Sequence, residues 1–345
     1  MHDGVAGQDV AHRGAAWRGG DGALAARWEA PDARRRLQLG LAAIWLLDAV
    51  LQYQSFMFTR AFGRVLAASA AGNPAAVADP VSWVARLVEQ HPQPANAAFA
   101  TIQLLIAVGI AWRPAVRCAL AASVAWSLGV WWFGEGLGGV LTGGASPVSG
   151  APGAVIIYAL LAVLLWPANR DTQAPFPAGR AVGRNSARAA WLVLWASLAW
   201  FAIAPASSTP QGMSGMLAGM TAGEPGWLAA VGHGAATLVA HQGLLASAVL
   251  AAVLAAIAAG VFLPPRAARV TLVLAIVTAA VIWVAGEELG GIFTGAGTDP
   301  NSGPLLILLA LAYWPRNARP AAATPAPGTP APGTRSAGAG EGAAR

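Results

Sequence analysis

Runs of apolar residues decide the solvent of this chain before any other feature. Leu39–Phe58, Leu244–Leu263 and Val270–Ala285 approach or reach the roughly 17–25 residues that carry a helix across about 30 Å of hydrocarbon. Only 10% of the residues are charged and the mean hydropathy is +0.55, whereas a soluble domain carries about 25% charged residues. Such a chain cannot cover itself with polar surface in water. An all-α membrane protein is therefore expected, with the lipid bilayer as its first partner.

Eight apolar segments can be drawn, at about 38–58, 95–112, 117–134, 152–167, 188–205, 241–263, 270–286 and 303–315. The basic residues test the drawing. All 21 are Arg, and with eight crossings 18 of them fall on one side, leaving only Arg60, Arg64 and Arg86 on the other. Basic loops stay cytoplasmic, so both termini are expected inside a bacterial cytoplasmic membrane. Residues 1–36 are rich in charge and lack the apolar core of a signal peptide. The tail 316–345 repeats Thr-Pro-Ala-Pro-Gly, whose prolines lack the donors a helix or sheet needs. Both ends are expected to be disordered.

The chain also repeats itself. Trp131-Trp-Phe-Gly-Glu-Gly-Leu-Gly-Gly-Val-Leu-Thr-Gly143 pairs with Trp283-Val-Ala-Gly-Glu-Glu-Leu-Gly-Gly-Ile-Phe-Thr-Gly295. Arg117 pairs likewise with Arg269, His91 with His241, and Trp166-Pro167 with Trp314-Pro315. Two four-helix units follow, 37–167 and 188–315, joined by a cytoplasmic linker at 168–187. An even number of crossings per unit makes the repeat parallel, related by an axis along the membrane normal, as in some transporters.

The segment Arg36-Leu-Gln-Leu-Gly-Leu-Ala-Ala-Ile-Trp-Leu-Leu-Asp-Ala-Val-Leu-Gln-Tyr-Gln-Ser-Phe-Met-Phe58, taken with the Gly-Glu-x-Leu-Gly-Gly motif, resembles uncharacterised actinobacterial multi-pass membrane proteins. The four-helix unit is distantly similar to DoxX-like modules. The resemblance implies a membrane fold and no activity, and it carries over no catalytic residue.

Acids in apolar surroundings are the first candidates for function, because their desolvation is costly. Glu135 and Glu287 each lie 18 residues after an Arg, a rise of about 27 Å if helical, near the outer edge of the bilayer. With Thr142 and Thr294 they either line an outward-facing cavity for a cation, proton or polar headgroup, or cap loop amides at the interface. Glu288 has Gly136 as its counterpart and is expected to be solvated. Asp48 sits near the middle of the first segment, with Gln52 one helical turn on. It is either a proton-linked or substrate-binding acid, or a partner in an interhelical hydrogen bond to Ser, Gln or Trp. Leu198 stands at its place in the second unit.

Met213, Met216 and Met220 share one helical face, and thioethers favour Cu(I). With His91 and His241 they are the weak candidates for a metal or haem site, against the ordinary use of Met as a gap-filler. No cofactor is expected from any binding motif, and the absence of Lys excludes a Walker lysine. The single cysteine, Cys118, can form no intrachain disulfide. A pI near 10.8 comes without a basic–aromatic motif, so no nucleic acid is expected. What remains is transport or binding of a small solute, ion or lipid, a membrane redox or metal-handling component, or a non-catalytic scaffold, and a homo-oligomer is compatible with each.

Overall fold

The computed structural model describes residues 32–315, and all regular elements among them are helical. The expectations for residues 1–31 and 316–345 lie outside the described residues. Helix α1 spans Ala33–Leu51, capped by Asp32, whose carboxylate accepts the Arg35 N–H. Residues 33–36, expected to be disordered, are thus its first turn. Their side chains explain why: Arg34 donates to the carbonyls of Trp166 and Ala168, and Arg35 to those of Ile110 and Ala111. Ile110 and Ala111 close a helix, where the last carbonyls have no partner in their own helix, and Trp166 and Ala168 lie just past the end of another.

A helical hairpin follows, α2 (Arg60–Ala68) and α3 (Ala75–Gln90), which the apolar segments did not predict. The long helices α4 (Pro92–Ala111) and α5 (Val116–Phe133) come next, and then the short α6 (Ala154–Leu164). The expected linker is itself ordered, holding α7 (Pro177–Val182) and the start of α8 (Arg184–Ile203). A one-turn helix α9 (Pro205–Ser208) leads into the hairpin α10 (Gly212–Met220) and α11 (Gly226–Val239). The long α12 (Gly243–Gly260) and α13 (Pro265–Val281) and the short α14 (Ser302–Ala312) complete the fold.

Five stretches are long and apolar enough to cross a membrane: Pro92–Ala111, Arg113–Phe133, Arg184–Ile203, Gly243–Gly260 and Pro265–Gly286. Their outward faces are apolar, with Leu105, Val193 and Val270 each about two-thirds exposed or more. Buried positions between them carry Asp48, Asn96, Gln103, Ser123 and Ser127 instead. Apolar outside and partly polar inside is the pattern that lipid as solvent imposes, because internal polar groups have no water to bond with. Small residues bring the helices close. A Cβ on Gly109 would stand 2.7 Å from the Ala119 Cβ, so α4 and α5 touch there backbone to side chain. α1 packs on α4, α8 packs on α12, and α14 bridges to both α6 and α1.

The two Gly-Glu motifs end their helices in the same way. Leu137 and Leu289, the leucines of Gly-Glu-x-Leu-Gly-Gly, adopt φ of 61° and 58°. This left-handed conformation is unfavourable for a leucine; Leu137 has a glycine on either side, whereas Leu289 stands between Glu288, also left-handed at φ 48°, and Gly290. Trp131 Nε1 donates to the Pro152 carbonyl at 2.7 Å, and Trp283 Nε1 to that of Pro300 at 2.8 Å. Each indole thereby pins its loop to the entry of the short helix beyond.

Candidate functional site

α1 to α6 enclose a cavity of about 300 Å³ at the end of the bundle away from Arg34 and Arg35. Its walls are mostly aromatic and aliphatic, and its polar groups come from five elements. Asp48 and Gln52 lie at the end of α1, Gln103 on α4, Tyr158 on α6, and Glu135 in the loop after α5. The fifth element is the loop before α14, which brings Asp299 across from the second half. Gln54 Nε2 ties that loop down through the Gly297 carbonyl, at 3.1 Å.

Asp48 is 2% exposed, and its Oδ2 accepts the Tyr158 hydroxyl at 2.5 Å. The partner is thus a tyrosine rather than the Ser, Gln or Trp expected from sequence. Trp45 is held by the Ser123 hydroxyl, and its ring lies 4.3 Å from that of Tyr158, which fixes the phenol in place. Asp48 Oδ1, Gln52 Oε1 and Gln103 Oε1 are buried and have no hydrogen-bond partner. No Arg or His lines the cavity.

A second, more open cavity of about 520 Å³ lies between the two Gly-Glu loops. Glu135, Thr298 and Asp299 line both cavities and form the septum between them. Glu135 is held above the usual carboxylate range by burial and then by the Asp299 charge. Burial also raises Asp299, opposed by hydrogen bonds from the Thr298 hydroxyl and the Asn301 N–H.

The two motif glutamates differ in their bonding. Glu287 is fully buried; its Oε1 accepts the Ser302 hydroxyl and its Oε2 the Gly303 N–H at 3.0 Å. It caps the start of α14, and burial raises it to about 7 even though these bonds oppose the shift. Ala154 opens α6 as Ser302 opens α14, but it carries no hydroxyl. Glu135 Oε2 is correspondingly buried without a partner.

The threonines stay within their own turns. Thr142 donates to the Gly139 carbonyl and Thr294 to that of Gly291, and neither bonds a glutamate. The seven residues from each Glu to its Thr do not continue the helix, which ends at Phe133 in the first motif and at Gly286 in the second, before the left-handed leucine. Thr294 lines the second cavity, and Thr142 lines neither.

Glu288 is fully buried rather than solvated, with neither carboxylate oxygen partnered. Its φ of 48° turns it inward beside Gly232, toward Glu224 and His233. Met213 packs with Leu217, Val148 and Ala236, while Met220 borders the second cavity. His91 and His241 are exposed at the α3–α4 and α11–α12 junctions. Among the described residues no three His, Cys, Asp or Glu gather into a group that could hold a metal ion.

Sequence reasoning thus named Asp48, Gln52 and Glu135, which share one cavity. It missed Asp299, Tyr158 and Gln103. Tyr158 had a usable signal, being the one polar side chain in the run Val155–Leu165. Asp299 had none, because only the fold carries its loop to the other half. No family model, no curated protein and no solved structure matches this chain, so its function has to be argued from the site itself.

Proposed function

We propose that this chain crosses the bacterial cytoplasmic membrane eight times, as two parallel four-helix repeats with cytoplasmic termini, and that it binds or transports a small solute entering from the outer side. The observation that carries this reading is the pair of adjoining cavities that share Glu135, Thr298 and Asp299. The open cavity serves as a vestibule, the acidic septum as a gate, and the inner cavity as the binding site.

Eight crossings follow if α1, α6 and α14 join the five long apolar stretches. Arg34–Arg36 and Asp48 make α1 more charged than the others, although it has 19 residues. α6 and α14 have 11 residues each, a rise of about 16 Å, so their preceding loops supply the rest of the depth. Irregular backbone at that depth is tolerated where it is buried in protein or lines a water-filled cavity, and these loops line the second cavity. The left-handed leucines and the paired Trp–carbonyl bonds support the repeat.

Labelling of a cysteine-free background tests the orientation. Ser149 lines the vestibule and is exposed. In Cys118→Ala cells, Ser149→Cys is expected to react with a membrane-impermeant maleimide from outside. Labelling only after the inner face is opened would overturn the topology and the outward vestibule together.

At Glu287 a specific observation favours the scaffold reading, because both its oxygens are engaged in holding α14. Its role is structural while Glu135 serves the site.

A further inference from the structure

We propose that the inner cavity binds a small organic cation, an ammonium group on an apolar or aromatic body, and that the second half is its filled, structural counterpart. The inference deepens the solute-binding reading and rests on it. Asp48, Glu135 and Asp299 face one space with no Arg or His among the residues that line it, so the charge missing from the site is positive. A divalent metal ion is a poorer match, since Ca²⁺ takes six to eight oxygens at roughly 2.3–2.6 Å and no three His, Cys, Asp or Glu among the described residues gather closely enough to hold a metal.

The walls point to an organic body. Trp45, Trp126, Tyr158, Phe62 and Phe99 line the space, and aromatic faces attract a cation within about 6 Å of the ring centroid. The buried, unpartnered oxygens of Asp48, Gln52 and Gln103 supply acceptors for ammonium protons. The volume of about 300 Å³ holds on the order of ten non-hydrogen atoms, at roughly 30 Å³ each by comparison with liquid water.

The chain contains its own control. Where the first half has Asp48, Gln52 and Tyr158, the His91–His241 and Trp166–Trp314 offsets pair them with Leu198, Ala202 and Leu306, all of them buried, and Gln103 falls within one residue of Leu254, which is buried too. The same helical frame therefore closes without polar groups at those positions, although it buries others such as Ser207 and Ser247 elsewhere. Their presence in the first half serves a ligand rather than the fold. Ala154 in place of a serine acts in the same direction, leaving Glu135 uncapped and available.

Binding also exchanges charge. Asp48, Glu135, Asp299 and Tyr158 are the titratable groups that face the cavity, and three carboxylates cannot all ionise there at once. An entering cation lets one carboxyl release its proton, so affinity falls as pH falls.

The test uses the full chain in lipid nanodiscs with three probes of similar size: phenethylammonium, 2-phenylethanol and phenylacetate. Phenethylammonium is expected to bind saturably, at least tenfold tighter than 2-phenylethanol, with no binding of phenylacetate. Its affinity should drop at least tenfold in Glu135→Gln, and should also drop between pH 8 and pH 5. If Glu135→Gln fails to fold, Ala154→Ser replaces it, because the added hydroxyl engages Glu135 as Ser302 engages Glu287. Equal binding of 2-phenylethanol or phenylacetate would overturn the cation class and leave the solute cavity standing. If no probe binds while a cysteine at Gly129 is still labelled from outside, the cation class alone falls. If that cysteine is also unlabelled, the solute-binding reading falls with it.

Discussion

Replacing Asp48 by Leu and Tyr158 by Phe together is expected to keep or raise the thermal midpoint of the protein and to reduce phenethylammonium binding at least a hundredfold. Asp48 Oδ1 is buried without a partner, and the Tyr158 hydroxyl has Asp48 as its hydrogen-bond partner. Removing both partners of a buried polar pair at once leaves nothing unsatisfied, and such exchanges are near neutral or stabilising. Phe keeps the ring packed on Trp45. Tyr158→Phe alone should instead destabilise by about 1–3 kcal/mol, the usual cost of stranding one buried partner. A double variant that unfolds, with singles that do not, would show that the carboxylate serves the fold. A double variant that keeps full affinity would remove Asp48 from the site.

Glu287→Ala is expected to be the most damaging single change at the motif glutamates, costing on the order of 3 kcal/mol, while Glu135→Ala should cost less than about 1 kcal/mol. Both glutamates stand in the same loop conformation, Glu287 fully buried and Glu135 half-buried with its Oε2 enclosed, and they differ in what the carboxyl holds. Truncating Glu287 strands the Ser302 hydroxyl and the Gly303 N–H at the buried start of α14. Truncating Glu135 removes a carboxyl whose Oε2 has no partner. Equal costs at the two sites, measured by thermal or denaturant unfolding, would contradict the division of roles.

Glu287 also makes stability depend on pH. Its folded value of about 7 lies above the 4.5 of a free glutamate. Ionising it is therefore harder in the folded protein than in the unfolded chain. The folded state has its full advantage below pH 4.5 and loses it as pH rises to about 7, by roughly 3 kcal/mol. Glu287→Gln should flatten that dependence between pH 5 and 8. An unchanged profile would place the titrating group elsewhere.

The solvent of this fold could be read from composition, because the bilayer imposes its length scale on every crossing. Long helices with uniformly apolar faces, such as α12 and α13, are visible in the sequence for that reason. The hairpins α2–α3 and α10–α11 are not, since they are short and α3 carries Asp79, Arg86 and Glu89 among its apolar residues. The first helix also ends at Leu51 rather than near Phe58, because the apolar run continues through an irregular turn that hydropathy does not distinguish from helix.

The site was legible in part for a related reason. Asp48 and Gln52 are polar intrusions in an apolar helix, and an intrusion is conspicuous wherever it lies. Glu135 and Glu287 look equivalent in sequence, and the residue that separates them, Ala154 against Ser302, lies across a loop in a different helix. Glu288 looked solvated because it lacks an acidic counterpart, yet its left-handed backbone turns it inward. Backbone conformation and contacts between the halves decided these roles, and neither follows from spacing along one helix.

Access from outside to the inner cavity is the central claim, and Gly129 offers the most direct probe of it. Gly129 lines that cavity, and a Cβ added there meets nothing within 4 Å, so cysteine fits without rearrangement. In the Cys118→Ala background, Gly129→Cys is expected to react with a small, charged, membrane-impermeant thiol reagent applied outside intact cells, and phenethylammonium is expected to slow the reaction. Reaction only from the cytoplasmic face, or none until detergent opens the fold, would contradict an outward-facing solute site.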